Sequence, residues 1–182
     1  MKKFLMFFAV MAIMAGVTTR VVAQVTITSP TAGAELVKVL TIGQTTPLYF
    51  GKIGITAGTA GTVTMTTAGG RSTGALTTTL INTGTLKTVA AFHLTGTTDA
   101  VYTISITSPI VVSTSTGSGT KSMNIDALKV KVDAATEVAA AGATGTLALG
   151  VSNFLLSGTL NIATDQELGV YTGTYPVTVD YQ

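Results

Sequence analysis

Apolar residues alternate with threonine along most of the chain, and this two-residue period predicts β-strands with one buried and one exposed face. The closing stretch, residues 169–182, shows the pattern clearly. The residues of this stretch that are predicted to face the core are Tyr171, Gly173, Tyr175, Val177, Val179 and Tyr181. Those predicted to face outward are Thr172, Thr174, Pro176, Thr178 and Asp180. Pro176 cannot donate a ladder hydrogen bond, so it indicates a sheet edge, a strand start or a bulge.

Similar short segments recur along the whole chain, separated by residues that favour turns. The predicted strands are Val25–Thr28, Glu35–Ile42, Leu48–Ile53, Thr62–Thr66, Ala75–Ile81, Val89–Thr95, Val101–Thr107, Ser122–Val132, Gly145–Val151, Leu155–Ile162 and Tyr175–Tyr181. Residues 133–143 are rich in alanine but lack an apolar stripe, so a loop is favoured over a helix. Many short strands without intervening helices predict an all-β fold, as an antiparallel sandwich or barrel.

Two of these strands, Thr62–Thr66 and Ala75–Ile81, carry no charged residue that would discourage pairing at a sheet edge. Either they lie inside the sheet, or edge pairing is part of what the protein does. The first interpretation needs no special function and is favoured.

The N-terminus has the pattern of a secretory signal peptide. Two lysines precede the apolar run Phe4–Met14, and small residues follow up to Ala23, after which we expect cleavage. An uncleaved anchor is the alternative, but the run is shorter than the roughly 20 residues that a membrane span needs. The mature chain, residues 24–182, is long enough for one domain, in which residues 24–34 can act as an N-terminal extension.

Charge and cysteine content narrow the class of protein. Cleavage removes three of the ten basic residues, leaving seven against eight acidic ones, so no basic patch indicates nucleic acid or an anionic membrane as a partner. The chain has no cysteine, which excludes disulfides and lipid attachment at the signal cut. We therefore expect an exported protein of the periplasm, the cell surface or the extracellular space, without an integral membrane span after cleavage.

Four stretches resemble landmarks of the bacterial domain-of-unknown-function family 4402. They are Leu48–Ile53, Tyr102–Ile106, Gly158–Ile162 and Gly169–Tyr181. The resemblance covers nearly all of the mature chain and implies an exported, immunoglobulin-like antiparallel β-sandwich. The ending is also similar to the last strand of archaic chaperone-usher pilins and spore-coat U proteins, subunits that polymerise by lending an N-terminal strand. This chain lacks the cysteine pair common in such pilins, and its segment Gln24–Pro30 ends in a proline.

Candidate catalytic chemistry is sparse. His93 is the only histidine, and its parity opposes that of Phe92 and Leu94, so we expect it on the surface of a strand. A zinc or copper site would need further imidazole or thiolate ligands. Asp165 and Glu167 offer oxygen ligands for calcium, but two carboxylates in one turn are more typical of turn chemistry or solubility. No catalytic, cofactor-binding or metal-binding residue is predicted.

The sequence therefore predicts a non-enzymatic structural protein of the bacterial surface, a fimbria-like or matrix subunit that assembles through strand edges. Its partner would be further copies of itself or another surface protein. The alternative is a monomeric binding module that recognises a protein or a glycan through loops at one end of the sandwich. The scarcity of aromatic residues argues against a glycan platform.

Overall fold

The structure is a computed structural model that describes residue 29 and residues 31–74, 78–81, 86–116 and 119–182. The predicted signal peptide, the predicted strand Val25–Thr28 and most of the predicted N-terminal extension lie outside these residues. Residues Val37–Gln182 form one compact unit. Residues 31–36 belong to a separate unit and are exposed, without regular secondary structure. In the described part of the chain, no helix is long and apolar enough to cross a membrane.

The described residues contain thirteen strands and one short 3-10 turn at Ala148–Gly150. The strands are β1 (Thr41–Thr46), β2 (Lys52–Ile55), β3 (Gly61–Met65), β4 (Arg71–Gly74), β5 (Thr78–Ile81), β6 (Ala90–Thr95), β7 (Val101–Ile106), β8 (Ile110–Thr116), β9 (Gly119–Val132), β10 (Val138–Ala139), β11 (Ala143–Thr146), β12 (Val151–Ile162) and β13 (Val177–Tyr181). Every described pairing is antiparallel. The predicted all-β antiparallel sandwich is confirmed.

The long strand β12 organises the larger sheet. One of its edges pairs with β6 and then, further along, with β3, while its other edge pairs with β9. Strand β1 extends the sheet beyond β6, β4 extends it beyond β3, and β8 and β10 both pair with the far edge of β9. The second sheet has the order β11-β7-β13, and β2 and β5 form a separate two-stranded ribbon.

The core lies between the large sheet and β7, because their inward side chains meet there. Phe92 of β6 and Phe154 of β12 stack with ring centroids 4.7 Å apart. From the second sheet, Tyr102 and Ile104 of β7 are completely buried. Full burial of an aromatic or aliphatic side chain contributes about 1.5–3 kcal/mol, so these residues account for much of the sandwich's stability.

A buried polar chain ties the two sheets together. The Ser152 hydroxyl on β12 donates to Asp133 Oδ2 at 2.6 Å, so the Tyr102 hydroxyl, 2.7 Å from Ser152 Oγ, must donate to the serine. Burial raises the pKa of Tyr102, so the phenol remains a donor at neutral pH. The network lets a tyrosine hydroxyl sit in the core without an unsatisfied proton.

The effects of mutating Ser152 and Tyr102 on the free energy of unfolding should be strongly coupled. We expect Ser152→Ala to lower the free energy of unfolding by about 1–3 kcal/mol, because it leaves the Tyr102 hydroxyl buried without an acceptor. Adding Tyr102→Phe should recover a large part of that loss, since the unpaired group is then gone. Urea unfolding of both single variants and the double variant measures the coupling. Losses that simply add would contradict the hydrogen-bonded chain.

Most predicted strands are present with shifted ends, but several predictions were wrong. Residues 35–40 are not a strand, since the backbone of Lys38 bonds to the Thr97 side chain and the Tyr181 hydroxyl, and β1 begins only at Thr41. Only the last two residues of the predicted strand Leu48–Ile53 lie in β2. The predicted strand Gly145–Val151 is interrupted, because residues 148–150 form the 3-10 turn between β11 and β12.

Strand β4 was not predicted, because its four residues are all polar or small. Strand β8 was missed altogether. It follows Pro109 and pairs with β9 from Ile110 to Thr116. The loop at residues 133–143 is confirmed, with only the two-residue strand β10 inside it.

Strand β3 lies between β12 and β4, which confirms the favoured interpretation that it is internal to the sheet. Strand β5, by contrast, pairs only with β2 among the described residues. The open sheet edges of this fold are therefore formed by strands other than β3.

Candidate functional site

The residues with candidate chemistry form no catalytic or metal-binding cluster among the described residues. His93 is exposed on β6, and its Nδ1 is 2.9 Å from Oδ1 of Asn153 on the neighbouring strand. Asp165 forms an ion pair with Lys121 at 2.8 Å, which lowers the pKa of Asp165 and raises that of Lys121. Among the described residues, no group of three or more histidine, cysteine, aspartate or glutamate side chains is arranged to hold a metal ion. The most distinctive surface is instead a pair of sheet edges.

Strands β1 and β13 lie side by side at one lateral edge of the sandwich. Each pairs with one neighbour only among the described residues, β1 with β6 and β13 with β7. Two tyrosines reach the β1 side, one from β13 and one from just before it: Tyr181 Oη donates to Lys38 O at 2.8 Å, and Gln44 Nε2 lies 3.5 Å from Tyr175 Oη. We call the strip between β1 and β13 the seam.

The ladder pattern identifies the backbone groups of β13 that face outward. Gln182 donates to the carbonyl at the start of β7 at 3.0 Å. Because bonded and non-bonded pairs alternate in an antiparallel ladder, Thr178 and Asp180 also bond to β7. Val179 and Tyr181 therefore direct their backbone N–H and C=O groups away from β7, toward the open side.

The same reasoning applies to β1. Gly96, just after β6, donates to the carbonyl that precedes β12 at 2.9 Å. Because bonded and non-bonded pairs alternate, the even-numbered residues of β6 form backbone hydrogen bonds with β12, and its odd-numbered residues form them with β1. Thr41 and Gly43 lie opposite the odd-numbered residues, so Ile42 and Gln44 direct their backbone groups outward.

The side chains within the seam are largely apolar and only half-buried. Ile42 of β1 and Val177, Val179 and Tyr181 of β13 pack against the core but keep part of their surface in contact with solvent. Burial also raises the pKa of Tyr175, which remains a neutral phenol. A further strand laid along either edge would cover this apolar surface and pair with the outward backbone groups.

Neither edge carries the usual protection against pairing. Strand β1 has no charged residue and no proline, and β13 has only Asp180, whose side chain is on the outer face. Natural edge strands normally use lysine, proline or inward-pointing charges to prevent such contacts. The sequence predicted β13 and its parity, but the strand predicted at Glu35–Ile42 overlaps β1 by two residues only, so the uncharged edge of β1 was missed.

The chain that enters the seam region is itself exposed. Val37 and Val39, just before β1, are 56% and 76% exposed. Lys38 between them is held by its backbone, because its N–H donates to Thr97 Oγ1 at 2.8 Å and its carbonyl accepts from Tyr181. The backbone of Lys38 is therefore fixed to the sandwich on both sides of its side chain.

Comparison with known proteins gives a family but no relative of known activity. No curated protein and no solved structure is found to match the chain. The family described as "Domain of unknown function (DUF4402)" matches residues 40–181, which is most of the chain and includes every described strand. The protein therefore belongs to the DUF4402 family.

Proposed function

We propose that this protein is an exported structural subunit of the bacterial surface, and that it assembles with copies of itself through its strand edges. The observation that supports this function is the seam, where two unprotected edges lie side by side over half-buried apolar side chains. A strand from another copy that pairs there forms main-chain hydrogen bonds, which supply affinity, while alternate side chains enter the apolar strip and supply register.

The exposed stretch before β1 provides a suitable partner segment. Residues 31–39 are exposed, and with residues 24–30 they make the mature chain long enough to reach beyond its own sandwich, at about 3.3 Å per extended residue. A segment lent by one copy to the edge of the next gives a head-to-tail contact. Such contacts produce filaments when the rotation from one copy to the next does not close a ring.

A proline placed at the outward backbone position of β13 tests this function. We expect Val179→Pro to abolish assembly, because proline removes an N–H that faces the open side and leaves the β7 ladder intact. Its thermal unfolding should stay close to that of the native protein. The matched control, Thr178→Pro, removes an N–H that bonds to β7 and should destabilise the fold instead.

Assembly is measured by sedimentation velocity and negative-stain electron microscopy of mature protein recovered from the cell surface. The native chain should form filaments or ladders, and Val179→Pro should give single subunits. A second variant, Gly43→Lys, adds charge to β1 where a Cβ meets no atom within 4 Å, so it should slow assembly without a cost in folding. Native surface material that is entirely monomeric, or unchanged filaments from both variants, would overturn the proposal.

A further inference from the structure

An apolar cavity of about 410 Å³ opens on the surface, away from the seam. It lies between the β2–β5 ribbon on one side and the β8–β9 hairpin on the other. Buried core residues form its floor, including Phe50, Ile125 and Leu160. The walls are aliphatic as well, with Ile53 from the ribbon and Met123 from β9. A cleft of this size and lining is of the kind that takes an apolar group.

The β2–β5 ribbon borders the cavity as a separate element. No described strand of the two sheets forms a ladder with β2 or β5. The ribbon is held by the Arg71 guanidinium, which donates to the carbonyls of Phe50, Lys52 and Ile81. Ile53, Ile55 and Leu80 of the ribbon also pack against the core.

A short loop at the mouth of the cavity exposes two large aliphatic side chains. We call residues 166–171 the rim loop. Gln166 Nε2 donates to Tyr171 Oη at 2.7 Å, and Tyr171 Oη donates to Glu167 O at 2.8 Å. The loop is thus closed on itself, and it presents Leu168 and Val170 to solvent at 81% and 73% exposure. Single exposed apolar residues are ordinary, but here an apolar projection stands directly beside an apolar cavity.

A projection and a cavity on one face can enter each other reciprocally when two copies are related by a two-fold axis. Such a contact is isologous, so the Leu168 of each copy enters the cavity of the other. The charges agree with this arrangement. Lys52 lines the mouth from the ribbon side and Glu167 from the loop side, so a two-fold rotation brings residues of opposite charge to the same side of the contact.

We propose that two copies of this chain pair about a two-fold axis, with Leu168 and Val170 of each rim loop seated in the apolar cavity of the other. This contact is separate from the seam, so it does not depend on the proposed strand-edge assembly. The seam contact is head-to-tail and would extend a filament, whereas the two-fold contact is closed and joins two copies only. Together they would therefore join filaments side by side.

Because the chain has no cysteine, cysteines introduced by mutation are the only thiols that a cross-linker can join. Mature Leu168→Cys protein is mixed with mature Ile81→Cys protein, both in the Val179→Pro background, and a short bis-maleimide is added. Only contacts between copies can join the two variants. We expect the mixed pair to be the main cross-linked product. The control replaces Leu168→Cys by Leu149→Cys, whose side chain is 88% exposed but does not line the cavity, and should give only background.

Sedimentation velocity provides the second readout. The Val179→Pro protein should sediment as a dimer, and adding Leu168→Asp should weaken the dimer at least tenfold, while adding Leu149→Asp should not. A monomer at all concentrations, or equal cross-linking with the control, would overturn the inference. A cavity that binds a fluorescent fatty acid one-to-one in a monomeric protein would also overturn it, in favour of a small-molecule site.

The two proposals fail separately in these measurements. Loss of filaments in Val179→Pro with dimers retained supports both contacts. Filaments that persist in Val179→Pro but lose their lateral association in Leu168→Asp count against the seam alone. Filaments from the native chain without any dimer in the Val179→Pro background count against the two-fold contact alone.

Discussion

A chain that ends at Tyr175 should fail to fold, because residues 176–182 include the whole of β13. Strand β13 covers one edge of β7, whose Tyr102 and Ile104 are completely buried. Its removal would expose these side chains and delete three half-buried ones. The apolar area that is no longer buried corresponds to a loss of about 7 kcal/mol in the free energy of unfolding. A domain of this size has a total stability of only about 5–15 kcal/mol. The truncated protein should therefore show no cooperative unfolding transition by circular dichroism.

The parity of β13 gives this prediction a finer test. Val179→Asp places a charge among half-buried apolar side chains and should destabilise the fold strongly, whereas Thr178→Asp, on the exposed face, should have little effect. Removing Gln182 alone should be tolerated, because the five residues of β13 stay in register with β7. A truncated chain that remains soluble and cooperatively folded would show that β13 is dispensable, and it would weaken the role given to the seam.

The strands that could be predicted from the sequence are those with one consistently buried face. Strands β3, β6, β7, β12 and β13 alternate between buried and less buried positions, and the two-residue period reports this directly. Pro176 was expected to mark an edge, a strand start or a bulge, and β13 begins at the next residue. Gly173 was placed on the inward parity but is exposed, because residues 173–176 precede the strand and follow no pleat.

The elements that escaped prediction are those whose alternation is weak. Strand β8 has apolar neighbours at its start and only serine and threonine afterwards, so its pattern resembles a loop. Strand β1 is mostly exposed and carries two small or amide side chains, Gly43 and Gln44, where the period should be visible. Its position depends on pairing with β6, which is distant in the sequence. Local periodicity carries no information about such contacts.

The candidate surfaces could be predicted even less, since both depend on which neighbours a strand lacks. The residues of β1 and β13 do not indicate that each of these strands has a neighbouring strand on one edge only. The rim loop illustrates the same limit, because its residues precede the predicted strand Tyr175–Tyr181 and nothing in them indicates that Leu168 and Val170 lie beside a cavity. The hydrogen bonds of Gln166 and Tyr171 that close the loop are likewise absent from the sequence pattern. Tertiary contacts decide such features.

Replacing Gly96 by alanine should be strongly destabilising, because the seam leaves no space for a side chain there. An added Cβ would overlap Tyr181 Oη and lie 2.8 Å from Leu147 Cδ1 and 3.2 Å from Leu40 Cδ1. To relieve the overlap, the tyrosine must move and lose its bonds to the Thr97 N–H and the Lys38 carbonyl. Overpacking and the unpaired groups together should lower the free energy of unfolding by about 3–5 kcal/mol.

Two further variants decide whether Tyr181 is the cause. Gly43→Ala is the matched control: its Cβ meets no atom within 4 Å, so it should be neutral or stabilise β1 by about 0.5–1 kcal/mol. Tyr181→Phe removes the hydroxyl that Gly96→Ala would overlap. In the double variant the two losses should therefore be clearly less than additive in urea unfolding. Full additivity would mean that the collision is with Leu147 or Leu40, and that the tyrosine is not what fixes the chain before β1 to the seam.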